Sequence, residues 1–86
     1  MTYALLLDRS AAKYLSKLRD KNLKGRLEEA IKSLIHAPMP AGYKKLAGTV
    51  CTYRIRVGDY RIIYDIEQEK IIILVLAIGH RRDIYR

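Results

Sequence analysis

The chain changes its hydrophobic period part-way along, and that change divides it into a helical first half and a strand-rich second half. Residues 2–7 form a short, β-compatible apolar run that stops at Asp8. Asp8 is placed to cap a helix. Ala11, Ala12, Leu15 and Leu18 then recur at helical spacing, with Arg9, Lys13, Lys17 and Arg19 on the other side. The polar stretch at 19–22 breaks this helix and offers Asp20 or Asn22 as a new cap. Leu23, Leu27, Ala30, Ile31, Leu34 and Ile35 follow the i, i+4, i+7, i+8, i+11, i+12 pattern of a second helix, and Glu28 stands four residues before Lys32 as a supporting pair. Gly25 inside this pattern marks a close helix approach or a late start. His36 sits where a cation suits the helix dipole, so a capping role is assigned to it. Two prolines and a glycine within residues 37–42 exclude regular structure there.

From residue 50 onward the pattern is that of strands. The runs 50–57 and 60–66 flank Gly58-Asp59, a pair suited to a two-residue primed turn. Such a turn sets Val57 opposite Tyr60. Facing residues then have numbers that sum to 117: Ile55 meets Ile62, Tyr53 meets Tyr64, and Arg56 meets Arg61. One face of the hairpin is apolar and aromatic, and the other carries Arg54, Arg56 and Arg61. After the polar turn at 67–70, residues 71–78 are apolar at every position, which predicts a central strand covered on both faces. Residues 43–48 allow one more short strand or turn. The predicted fold is α/β of the α+β kind: an N-terminal strand, a helical hairpin, then a mostly antiparallel twisted sheet of about four strands. Helices cover one face, and the open face is basic. Residues 1–86 form one domain.

Charge sharpens this picture. Lys and Arg number 17 against 9 Asp and Glu, a formal +8 on ten kilodaltons. By count, residues 1–42 hold 8 basic and 4 acidic side chains and residues 43–86 hold 9 and 5, so each half contributes +4. The charge therefore sits on folded elements rather than on a basic arm, and it favours acidic partners such as nucleic acid. Like charges set directly opposite each other destabilise a strand pair on a scale of roughly 0.2–1 kcal/mol, so folding alone does not select Arg56 against Arg61. A guanidinium fork matches phosphate oxygens two at a time, which gives the arginine face a reason to exist.

Other chemistries are not suggested. A single cysteine, Cys51, excludes an internal disulfide and a multi-cysteine metal site. Neither a Gly-rich phosphate loop nor Cys/His metal spacing occurs, no cofactor is implied, and no apolar run approaches the ~18–20 residues of a membrane-spanning helix. A cytoplasmic location is expected. The tail 79–86 leaves the apolar strand at once. That topology predicts that His80, Arg81 and Tyr85 meet Arg54, Arg56 and Arg61, combining phosphate clamps, a proton carrier near neutral pH and a ring that stacks on a base. Lys44, Lys45 and Arg82 extend the basic surface and are assigned to RNA binding.

The order of elements, Lys44-Lys45-Leu46, the hairpin Tyr53-Arg54-Ile55-Arg56-Val57-Gly58-Asp59-Tyr60-Arg61-Ile62-Ile63-Tyr64 and the ending Gly79-His80-Arg81-Arg82-Asp83-Ile84-Tyr85 resemble the RelE/ParE toxin superfamily over essentially the whole chain. The resemblance implies a small toxin encoded beside an antitoxin that wraps and silences it in a hetero-oligomer. RelE-type members are ribosome-dependent endoribonucleases that cut mRNA in the A site, and ParE-type members poison DNA gyrase. By position, Arg54 and Arg56 fall where RelE-type toxins keep two lysines that help activate the 2′-hydroxyl. Arg61 falls on the arginine that holds the scissile phosphate, Arg81 on the one that assists the leaving 5′-oxygen, and Tyr85 on the tyrosine that stacks on the base. The implied reaction is metal-free attack of the 2′-hydroxyl on the adjacent phosphate, giving a 2′,3′-cyclic phosphate.

Two departures from that pattern matter. Arginine, with a pKa above ~12, takes no proton near pH 7, so Arg54 and Arg56 stabilise charge only, and His80 is the candidate acid/base. The chain also stops one residue after Tyr85, without the further C-terminal helix of some relatives. The expected function is a ribosome-dependent mRNA endonuclease toxin, acting on ribosome and mRNA and bound by a partly acidic antitoxin over the arginine face. The alternatives are a ParE-like gyrase inhibitor and a non-catalytic basic binding module.

Overall fold

In a computed structural model, which describes residues 2–84, five strands form one mixed sheet with two helices on one of its faces. In chain order the elements are β1 (Ala4–Leu7), α1 (Arg9–Lys17), α2 (Lys21–Leu34), β2 (Lys44–Lys45), β3 (Thr52–Val57), β4 (Tyr60–Glu67) and β5 (Ile72–His80). The spatial order is β1-β5-β4-β3-β2, with β1 parallel to β5 and every other pair antiparallel.

Both helices start where a carboxylate caps them. The Asp8 side chain accepts the Ser10 N–H, and Asp20 accepts those of Asn22 and Leu23, satisfying donors that have no partner within the helix. Ala11 and Leu15 of α1 and Leu27, Ile31 and Leu34 of α2 are buried against Ile55, Ile62, Tyr64, Ile66, Ile73, Val75 and Ile78 of the sheet. Ala12 is exposed, and Tyr14 takes its place in contact with the core. Helix α2 starts at Lys21, and a Cβ on Gly25 would meet nothing within 4 Å, so neither a late start nor a close approach accounts for this glycine.

The β3–β4 hairpin has the register set by its turn: Val57 pairs with Tyr60, Arg56 with Arg61, Ile55 with Ile62 and Tyr53 with Tyr64. Gly58 is left-handed at φ 60 and Asp59 is not, the pattern of a type II′ turn. Tyr64 is fully buried, stacks near Tyr53 at 6.1 Å between ring centroids, and donates its hydroxyl to the Pro38 carbonyl at 2.6 Å. That bond ties the proline loop to the core.

The long apolar run differs from expectation in two respects. β4 is the central strand, and β5 lies between it and β1. β5 is also covered on one face only: Ile73, Val75 and Ile78 are buried on the helix side, whereas Ile72, Leu74 and Leu76 are half-buried. An apolar run without alternation carries no information about which face is covered. Within it, β5 holds one extra residue. Tyr64 pairs with Val75 but Ile63 pairs with Ala77, so Leu76 forms a β-bulge. The Leu76 carbonyl, past the end of β1, accepts the Ser10 hydroxyl at 2.8 Å. Ile71, just before β5, is left-handed at φ 57, a conformation that costs a non-glycine residue about 1–3 kcal/mol. Its carbonyl accepts the Ala4 N–H at 2.8 Å and so anchors β1.

Two consequences are measurable. Gly25→Ala is expected to raise stability by about 0.5–1 kcal/mol in denaturant unfolding, because the site is exposed, helical and unobstructed. The Tyr64 hydroxyl is pushed up to about 12, first by burial and then by the neighbouring Tyr53 and Tyr43. The unfolded phenol releases its proton near pH 10 while the folded one keeps it. Its contribution is therefore complete below pH 10 and lost as pH rises towards 12. Unfolding curves across that range are expected to show a steeper loss in the wild type than in Tyr64→Phe.

Candidate functional site

The pleat of the sheet assigns each polar side chain to a face. Tyr53, Ile55 and Val57 of β3 and Tyr60, Ile62, Tyr64 and Ile66 of β4 pack against the helices or border them. Arg54, Arg56, Arg61, Ile63 and Asp65 therefore project from the opposite face, where no helix lies. Lys44 pairs with Arg54 and joins this face, whereas Lys45 pairs with Tyr53 and points to the other side. The bulge at Leu76 places Ala77 beside Ile63 and Gly79 beside Arg61, so β5 contributes only small residues to the floor next to the arginines. Ile84 rests over Gly79, its Cβ 3.6 Å from where a glycine side chain would begin.

Three arginines and a lysine thus share one sheet surface in adjacent rows. Arg56 and Lys44 are exposed, but Arg54 and Arg61 retain only 8% and 9% of their accessible surface. The Nε atoms of both are buried without a hydrogen-bond partner. An unsatisfied buried donor costs about 1–3 kcal/mol, more when charged, so these two groups are held against their own desolvation. Among the described residues neither Nε finds an acceptor.

The tail is only partly assembled with them. The Arg81 N–H donates to the Asp59 carbonyl at 2.8 Å, which fastens the tail to the hairpin turn, and the Arg81 and Arg82 side chains are exposed. His80 pairs with Tyr60, and its ring meets that ring edge-on at 5.4 Å between centroids. By the parity of the sheet this is the helix side, so the structure does not bring His80 together with Arg54, Arg56 and Arg61. Its Nδ1 accepts the Arg82 N–H at 3.2 Å. Tyr85 lies outside the described residues.

Asp65 was not among the residues singled out by sequence, yet it shares the arginine face. The register sum of 117 sets it opposite Thr52 and marks it as a neighbour of Arg54, as the structure bears out. The concave sites lie elsewhere. A cavity of about 470 Å³ is bounded by Val50, Cys51, Tyr53 and Ile66 at the far end of the hairpin from its turn, and one of about 310 Å³ lies between Ser10, Tyr14, His80 and Asp83. The arginine surface is open sheet, a shape suited to an extended polyanion rather than an enclosed small molecule.

Comparison with known proteins agrees with this geometry. The family model described as ParE toxin of type II toxin–antitoxin system matches residues 5–85. Toxin RelG of Mycobacterium tuberculosis is 34% identical over 89 residues, covering 100% of this chain and 99% of that protein. The archaeal RelE–RelB complex from Pyrococcus horikoshii superposes with a TM-score of 0.82 at 32% identity, over 96% of this chain and 99% of that one. The intact E. coli RelBE toxin–antitoxin complex gives a TM-score of 0.77 at 27% identity, over 91% and 95% of the two chains. An open sheet with an arginine face, a family match over nearly the full length and a curated relative at this identity together show that the chain belongs to the RelE/ParE superfamily of type II toxin–antitoxin toxins.

Proposed function

We propose that this toxin is a metal-independent, ribosome-dependent endoribonuclease that cuts mRNA. The observation that carries the reading is the pair Arg54 and Arg61, buried on an otherwise open sheet face with unpartnered Nε donors and flanked by Arg56 and Lys44. A phosphodiester of RNA is the anion that this concentration of guanidinium charge suits. Its non-bridging oxygens accept from Arg54 and Arg61, and the cost already met in holding these groups dry is returned when charge accumulates on phosphorus. In the reaction, the 2′-oxygen attacks the adjacent phosphorus, the bond to the 5′-oxygen breaks, and the products are a 2′,3′-cyclic phosphate and a 5′-hydroxyl. Arg56 adds positive potential at the turn end of the face. Arg81, fastened beside the turn through its backbone, stands on the side of the leaving 5′-oxygen, and Tyr85 stacks on a base. Lys44, Lys45 and Arg82 hold RNA or ribosomal phosphates.

The partner is a cognate antitoxin. The P. horikoshii and E. coli structures are complexes of RelE with RelB; the antitoxin of this toxin is read as partly acidic and as covering the arginine face, to which its charge is complementary. With +8 on the toxin, association is expected to be fast and salt-sensitive. On this reading the toxin acts in the cytoplasm, where the ribosome and its message are. A second reading, a ParE-like inhibitor of DNA gyrase, is favoured by the family model that matches the chain; it requires the fold but not the arginine pair.

Brief expression followed by mapping of mRNA 5′ ends separates the two: new ends inside translated frames support the endoribonuclease, and DNA breaks with intact messages overturn it. Arg61→Met is expected to lower cleavage of ribosome-bound mRNA by about 10²–10³-fold. The same variant is expected to be at least as stable as the wild type in thermal unfolding, since it removes a buried donor that has no partner.

A further inference from the structure

The reaction requires a group that accepts the proton of the 2′-hydroxyl, and the arginine face holds one. We propose that Asp65 is that proton acceptor; the assignment rests on the endoribonuclease reading. Arg54, Arg56 and Arg61 remain protonated near neutral pH, and His80 lies on the helix side of the sheet beside Tyr60. By strand parity, the titratable side chains on the open face of β2, β3 and β4 are Lys44, Arg54, Arg56, Arg61, Asp65 and Glu67. β5 presents Ile72, Leu74, Ala77 and Gly79 there. The candidates for a base at this face are thus the two carboxylates.

Position chooses between them. Asp65 pairs with Thr52, two residues along the hairpin from the Arg54–Ile63 pair, so Arg54 and Asp65 are diagonal neighbours about 7–8 Å apart. A phosphate on the Arg54 guanidinium and the ribose hydroxyl next to it span that gap. Glu67 is two residues further along β4, roughly 7 Å more distant. Asp65 is also oriented. The Thr52 hydroxyl donates to Oδ1 at 2.5 Å, which fixes the carboxylate from one side. The unpartnered Nε of Arg54 shows that this donor does not occupy the carboxylate. Asp65 also acts electrostatically on the partly buried Cys51, whose thiol is pushed up by burial and then by Asp65 and Glu67, while Lys45 acts in the opposite sense.

In the step itself, Oδ2 takes the 2′-hydroxyl proton as the new oxygen–phosphorus bond forms. The bond from phosphorus to the 5′-oxygen breaks, the leaving oxygen collects a proton from water, and Asp65 returns its own proton to solvent. No oxidant, metal or further reactant enters.

The test is single-turnover cleavage of ribosome-bound mRNA between pH 4.5 and 8, comparing the wild type with Asp65→Asn, Asp65→Glu and Thr52→Val. Asp65→Asn keeps the shape and the bond from Thr52. It is expected to lose about 10²–10⁴-fold in rate and the acid limb of the pH profile, with binding to the programmed ribosome unchanged. Thr52→Val is expected to lose several-fold while keeping the limb. Asp65→Asn cleaving within threefold of the wild type, with the same acid limb, overturns the assignment and leaves the endoribonuclease reading standing. A wild type that cuts no message overturns both. If Asp65→Asn lowers the unfolding temperature, Asp65→Glu decides: a retained acid limb supports a catalytic carboxylate, and a pH-independent residual rate overturns it.

Discussion

The alternation of side chains along β4 is the constraint on which both the core and the candidate site depend. Tyr60, Ile62, Tyr64 and Ile66 face the helices, and Arg61, Ile63, Asp65 and Glu67 face away. Because β4 is paired on both sides, a slip of one residue would exchange the two sets and bury charge where the core now lies. The fold therefore cannot form its core without displaying its arginines. Holding Arg54 and Arg61 nearly dry without acceptors for Nε opposes folding, in a domain whose whole stability is of the order of 5–15 kcal/mol. Under the proposed function, an anion bound at that face is what offsets this cost.

The bulge at Leu76 is the second decision, and it is made by one residue. Without it, the parity that sends Val75 towards the helices would carry Ala77 and Gly79 with it and turn His80 towards the arginines. With it, the small residues lie beside Ile63 and Arg61, and His80 packs on Tyr60. The Ser10 hydroxyl holds the Leu76 carbonyl, so α1 takes part in keeping the bulge in place. Histidine chemistry and arginine chemistry are thereby separated by the thickness of the sheet. On the arginine face, the proposed proton acceptor is therefore a carboxylate rather than an imidazole.

What the sequence determined by itself is the part governed by neighbours in the chain. Helical spacing located α1 and α2, carboxylates at 8 and 20 capped them, and a glycine able to take a positive φ at 58 set a register that located the arginine face to the residue. These signals act over a few residues, where backbone sterics and hydrogen bonding dominate. Asp65 is legible in the same register, opposite Thr52 and diagonal to Arg54, although the basic residues around it dominate the charge pattern. Tertiary structure alone decided the rest. The run 71–78 is apolar throughout, so its bulge, its one covered face and its place beside β4 followed from packing against α1 and β1 at the opposite end of the chain. Lys44-Lys45 became a fifth strand only because β3 offered an edge to pair with. The face on which His80 emerges depends on the cumulative parity of an entire strand, a sum that one extra residue inverts and that no local pattern in this sequence records.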